Sequence, residues 1–199
     1  MSRRLFVSLA TAVVALLLVP AALAVSVHVR VEGKTRTIFG AAEPSLVSGP
    51  NALDALDAAS LAGEFYYHVT TTAFGPYVDQ IGRYPGTGVS GWVFKVNGIS
   101  PPVGADAVQL KPGDRVLWYY ATFGPSGGPP TLLLKRGAKR NCYRVLAQDD
   151  NGKATPARGA TLHAGSRRVR ARTGSVCVGA HKGLVTATLA GAVRSNALR

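Results

Sequence analysis

The sequence predicts a mainly β protein with one helix, built as two unlike halves, and three observations carry that expectation. Apolar and polar residues alternate in short runs of period two along most of the 199 residues, with Gly and Pro recurring between the runs as turn signals. One stretch alone, from Asn51 to Gly63, spaces Leu53, Leu56 and Leu61 among alanines as the apolar face of a helix. Formal charge then divides the chain. Residues 25–134 carry seven Lys/Arg against eight Asp/Glu, whereas residues 135–199 carry fourteen against Asp149 and Asp150 alone. Two modules with different tasks are expected, an α+β domain followed by a small all-β sandwich.

The first residues read as a targeting segment. Arg3 and Arg4 precede an uncharged run from Leu5 to Val27, and Ala22-Leu23-Ala24 supplies an A-x-A cleavage pattern. A signal peptide over residues 1–24 implies a secreted chain beginning near Val25. Ser2-Arg3-Arg4-Leu5-Phe6 matches the twin-arginine pattern S-R-R-x-F, while the Leu/Val-rich run suits the general secretory route, so both routes stay open. An uncleaved membrane anchor stays open as well, because the run can cross ~30 Å of hydrocarbon; Pro20 and the A-x-A site favour cleavage. Export makes Cys142 and Cys177 one disulfide rather than two thiols. Closing a loop of about 35 residues is worth ~4 kcal/mol in the chain-entropy picture, a large term for a segment with so small a core.

In order, Val25 to Glu32 alternates strictly and is a half-buried strand, its odd-numbered valines inward and His28 and Arg30 on the open side. Gly33-Lys34 turns the chain into a partner over Thr35 to Phe39. Asn51 is placed to cap the helix, Asp54 and Asp57 suit its positive end, and Gly63 suits its C′ position. Phe65 to Thr72 is an aromatic, β-branched strand broken by Gly75-Pro76, and Tyr77 to Tyr84 adds another. Trp92, Phe94 and Val96 alternate into Asn97-Gly98, a hairpin signal. Lys111-Pro112-Gly113-Asp114 is a type II turn leading to the alternating Val116, Trp118 and Tyr120. One helix lying across a mixed sheet is the plan of a β-grasp. Phe123 to Pro130 is a Gly/Pro linker, which places the domains at 25–130 and 131–199; Leu132 to Leu134 could close the first sheet or begin the second domain. Beyond it come short strands around Cys142 to Ala147, Pro156 to Leu162, Arg168 to Arg172 and Leu184 to Leu189, with a turn at Asn151-Gly152.

The first half resembles the family of secreted domains that share the C-terminal β-domain of transcobalamin and intrinsic factor, akin to soluble-ligand-binding β-grasp domains. The likeness rests on Gly91-Trp92, Val96-Asn97-Gly98, Gly113-Asp114 and Trp118-Tyr119-Tyr120 within residues 25–123. It implies a β-grasp fold and, for its relatives, cobalamin as ligand. Residues 156–196, through Pro156, Gly159-Ala160 and Val193-Arg194-Ser195-Asn196, resemble bacterial immunoglobulin-like or carboxypeptidase-regulatory-like β-sandwiches.

Catalytic machinery is not expected. Gly86, Gly88 and Gly91 spell G-x-G-x-x-G but lead into a strand, where a dinucleotide site needs a helix N-terminus. Gly124-Pro125-Ser126-Gly127-Gly128 spells G-x-S-x-G but lies in the Gly/Pro linker, and Gly33-Lys34-Thr35 spells G-K-T but lies in a turn between strands, so neither has the strand-to-helix setting its chemistry needs. H-E-x-x-H does not occur, the four histidines stand singly, and Asp149 to Gly152 lacks the spacing of a calcium loop. The residues imply no metal and no resident cofactor. Two binding candidates remain. Adjacent aromatics in strands point to opposite faces, so Tyr67, Trp92, Asn97, Trp118 and Tyr119 could furnish an aromatic rim for a flat or sugar-like ligand, with Tyr119 and Asn97 at an outward edge. Arg168, Arg170 and Arg172 should line one face at ~7 Å spacing and attract an anionic envelope polymer. Nucleic acid is a poor partner for an exported chain. The expectation is a secreted, non-enzymatic binding or adhesion module at the cell envelope, with a protein partner or polymer; the alternative is a cobalamin-like small-molecule carrier.

Overall fold

The computed structural model describes residues 24–199, and the expected signal segment lies outside them except for Ala24. The chain opens with strand β1 (Val25–Glu32), whose alternation buries Val27, Val29 and Val31 completely. A tight turn joins it to β2 (Thr37–Phe39), and β3 (Ser45–Ser48) pairs antiparallel with the other end of β1. Helix α1 (Ala52–Gly63) comes next, capped as its sequence suggests: the Asn51 side chain accepts the Asp54 N–H at 2.8 Å, and the Asp54 carboxylate accepts the Asn51 N–H at 3.2 Å. Its other end departs from expectation. Gly63 is the last helical residue and Glu64 takes the left-handed turn, φ 49°. Gly63 is needed for space instead, since a Cβ there would stand 2.5 Å from the Phe39 ring and 3.0 Å from that of Phe65.

Strands β4 (Tyr67–Thr72), β5 (Gly75–Ile81) and β6 (Tyr84–Pro85) make a small antiparallel meander beside the main sheet. Gly75 turns the hairpin, and Pro76 sits inside β5 rather than breaking it. Strands β7 (Ser90–Val96) and β8 (Arg115–Thr122) pair along their whole length. Asn97-Gly98 adopts left-handed dihedrals, φ 53° and 87°, yet returns the chain only as far as Ile99. A loop over 99–114 then intervenes, ended by the Lys111–Asp114 turn with Gly113 at φ 87°. The main sheet runs β2-β1-β8-β7 with β1 parallel to β8, and α1 crosses one face, the β-grasp arrangement. Val27, Val29 and Val31 pack there with Ala52, Leu56 and Ala59, and with both tryptophans.

Leu132 to Leu134 belong to the second half of the chain: β9 (Thr131–Arg136) pairs with β10 (Cys142–Gln148), not with the first sheet. Strands β11 (Ala154–Pro156), β12 (Ala160–Ala164), β13 (Arg167–Ala171), β14 (Ser175–Cys177) and β15 (Val185–Thr188) complete the chain. One sheet gathers β9, β11 and β14 around β10, and the other runs β13-β12-β15. Leu132, Leu134, Tyr143 and Val145 from the first meet Leu162, Val185 and Ala187 from the second in one core. Cys142 and Cys177 are opposite one another in the β10–β14 ladder and are joined as the expected disulfide.

The open side expected for the first sheet is not open. The face away from α1 is covered by the C-terminal half, so Arg30 is 3% and Tyr119 2% exposed where both were expected to face outward; His28 is half-buried. The strand alternation is as expected: Trp118 and Tyr120 pack on the helix side, while Leu117, Tyr119 and Ala121 pack with Val193 on the other. What differs is the occupant of that second face, protein instead of water. Buried charges hold the two halves together. Glu32, 1% exposed, lies 3.2 Å from Arg30 and 2.9 Å from Arg194, and accepts the Thr37 hydroxyl. Arg30 also donates to the Arg194 carbonyl at 2.7 Å, and Arg194 to that of Gly33 at 2.6 Å. Lys95, fully buried, donates to the Asp149 carbonyl at 2.8 Å and pairs with Asp150 at 3.2 Å. Among the described residues no helix is long and apolar enough to cross a membrane.

Candidate functional site: an aromatic groove at the edge of the sheet

Strand β7 ends the main sheet, and beside it lies a cavity of about 330 Å³. Its floor is set by alternation. Phe94 and Trp118 are directly opposite in the β7–β8 ladder, and their rings stack at 5.0 Å with 27° between planes. Trp92 beside them meets Tyr120 edge-on at 5.6 Å. Both indole N–H groups are spent inward, Trp92 on the Tyr84 carbonyl at 2.8 Å and Trp118 on that of Ala52 at 3.3 Å, so the groove sees the apolar rings. Tyr77, Val103 and Phe123 form the rim and are all exposed, Val103 at 51%.

Polar groups are few and placed at the margins. Val96 turns its N–H and C=O away from β8 to Ile99, so by ladder alternation those of Phe94 point to the same outer side. Asp150 reaches the groove from the C-terminal half; its carboxylate accepts the Ser100 hydroxyl at 3.0 Å. Tyr119 lines the inner wall, and burial, with the Asp150 charge adding to it, pushes its phenol up to about 12. Burial holds the Lys95 ammonium below its ordinary value against the pull of Asp150.

Of the residues singled out from the sequence, Trp92, Trp118 and Tyr119 meet here. Tyr67 does not: its hydroxyl donates to Asp57 of α1 at 3.0 Å, and burial followed by that bond pushes its phenol up to about 12. Asn97 closes a turn, donating to Asp114 at 2.8 Å and accepting the Arg115 N–H at 3.0 Å. Phe94, Tyr77, Val103 and Phe123 were missed. Val103 and Phe123 sit in Pro- and Gly-rich loops, where a large apolar residue has no strand periodicity to explain it, and that was the available signal.

The basic residues also divide. Arg168 and Arg170 stand exposed on the outward face of β13, opposite His163 and Thr161 of β12. Arg172 is exposed but lies past the end of the strand, in a turn, so it leaves the expected row of three. His68, Asp79 and Thr70 cluster on β4 and β5, but the threonine hydroxyl and the imidazole both engage the carboxylate and not each other. That geometry activates no nucleophile. Asp149 closes its own turn by accepting the Asn151 and Lys153 N–H groups.

A family model described as a domain of unknown function (DUF4430) matches residues 49–122. The matched stretch runs from the cap of α1 to the end of β8, so it contains the aromatic floor and Val103 but neither Phe123 nor Asp150. No curated protein matches the chain.

Proposed function

We propose that the chain is a secreted, non-catalytic binding module of the cell envelope, in which the groove beside β7 takes a compact apolar ligand and the basic half holds an anionic envelope partner. The groove carries this reading. Tyr77, Val103 and Phe123 stand exposed around the half-buried Phe94, above tryptophans that are themselves buried, and a ligand or partner side chain recovers roughly 25 cal/mol per Å² of the apolar rim it covers. The outward N–H and C=O of Phe94 add one donor and one acceptor, which suits a ligand carrying an amide or a peptide laid along the strand. The residues around the groove are aromatic or aliphatic, and the carboxylate in reach, Asp150, is engaged by Ser100 and Lys95.

The β-grasp order supports the likeness of residues 25–123 to the transcobalamin C-terminal β-domain, and the two packed sheets support an immunoglobulin-like reading of the second domain, with the break at 130–131. The small-molecule carrier is therefore the second reading. Against cobalamin itself stands the size of the site, at the lower end of the ~300–1,000 Å³ usual for small-ligand pockets.

Titrating the purified chain separately with Nile red, a neutral apolar dye, and with cobalamin tests both readings through tryptophan fluorescence. Nile red should quench saturably at one site per chain, Val103→Asp should weaken it about tenfold by placing a charge on the rim, and cobalamin should give no saturable change. A Val103→Asp chain that binds Nile red like the parent removes the groove; saturable cobalamin binding replaces the first reading with the carrier.

A further inference from the structure

Both acidic residues of the C-terminal half are at the junction, Asp149 in its turn and Asp150 on Lys95 and Ser100, and Arg194 is committed to Glu32. The rest of that half is cationic without a carboxylate side chain to balance it. There a cavity of about 610 Å³ opens at the hairpin between β9 and β10, lined by Arg136, Lys139, Arg140, His181 and Arg199, with no Asp or Glu side chain; Arg136 donates there to the Arg199 main-chain oxygen. Its walls are fixed. The Cys142–Cys177 disulfide and the Val178 N–H on the Asn141 carbonyl, 2.9 Å, tie the hairpin to the loop carrying His181. The Gly179 carbonyl can only accept, so His181 Nδ1 donates to it at 2.9 Å, and Nε2 is hydrogen-bonded with the Tyr143 hydroxyl at 3.0 Å.

We propose that this cavity is an anion site for the phosphate groups of a linear polyanion. Clustered guanidinium and ammonium groups repel one another until an anion joins them, and guanidinium forks match phosphate oxygens two at a time. A hairpin held by a disulfide loses little freedom on binding, which separates a site from a merely basic surface. The ligand class rests on the envelope reading given above for the basic half; the location does not.

Isothermal titration of the full chain with short-chain inorganic polyphosphate at low salt is the test. Saturable binding is expected, weakened about tenfold or more by Arg136→Gln/Lys139→Gln/Arg140→Gln and less than about threefold by Lys34→Gln/Lys153→Gln/Arg158→Gln, which removes the same charge elsewhere. All six side chains are exposed, so both variants should keep the parent circular dichroism. Reducing and capping the disulfide should also weaken binding. Equal losses in the two variants would mean general charge and overturn the site, as would binding to phosphatidylglycerol vesicles but not to polyphosphate. If cell walls retain the parent and the first variant equally, the site fails and the envelope reading stands. Should polyphosphate bind through these residues while walls retain nothing, the site stands without that reading.

Discussion

Glu32 shows at the scale of one residue what the junction demands. A carboxylate removed from water needs partners for every lone pair, and it has Arg30, Arg194 and Thr37. Replacing Glu32 with Gln leaves guanidinium charge buried without its counter-charge, so unfolding in denaturant should show a loss of about 3–5 kcal/mol, nearer the lower figure because Arg30 keeps Glu43. A loss under about 1 kcal/mol would mean that the pairing contributes little beyond a neutral hydrogen bond. The neighbouring run Val193 to Asn196 is equally specific. Val193 packs at the junction and Arg194 pairs with Glu32. Ser195 accepts the Ala187 N–H, and Asn196 both accepts from and donates to Leu134. Tyr67 and Tyr119 give a pH dependence with a definite sign. Their phenols are raised from 10.0 to about 12 in the folded chain, so their contribution is complete below pH 10 and is lost as pH rises through 12. Absorbance titration of the seven tyrosines should find two that resist ionisation beyond pH 11 until the chain unfolds; all seven titrating together near 10 would contradict it.

Among elements, the strands and helix were legible because each announces itself locally. Val25 to Glu32 alternates, Asn51 and Asp54 form a capping box, and Gly113 follows Pro112 in a turn. The helix end was misplaced because Gly63 answers a packing demand from Phe39 and Phe65, and nothing in the local pattern distinguishes that from a turn. The loop over 99–114 was hidden for a similar reason: Asn97-Gly98 has the chemistry of a hairpin, and only long-range pairing shows that it turns back for a single bridge. The groove depends on this loop, since Pro101, Val103 and Ala105 are its far wall. Half the site was therefore readable, the strand-borne aromatics, and the loop-borne rim was not.

For the molecule as a whole, the second face of the first sheet is covered by protein where strand alternation alone leaves it open to water. Arg30 reads as an ordinary solvent-side residue in an alternating strand; its burial, like that of Lys95, comes from the C-terminal half, 164 residues away in the chain for the Arg194 carbonyl that Arg30 meets. Periodicity states which face a residue is on and says nothing of what covers it. With that face covered by the basic half, the aromatic groove that the main sheet leaves open lies at the edge of β7, lined by Asp150 of one half and by Phe94 and Trp118 of the other. A second apolar patch, Val47 and Leu61 on β3 and α1, is more exposed and borders a wider hollow of about 770 Å³, but it has no aromatic rings. Hydrogen–deuterium exchange of the full chain with and without saturating Nile red separates the two and tests the central claim directly. Protection confined to 92–104 and 118–123 is the predicted result, and protection centred on 46–62, or none, would contradict it.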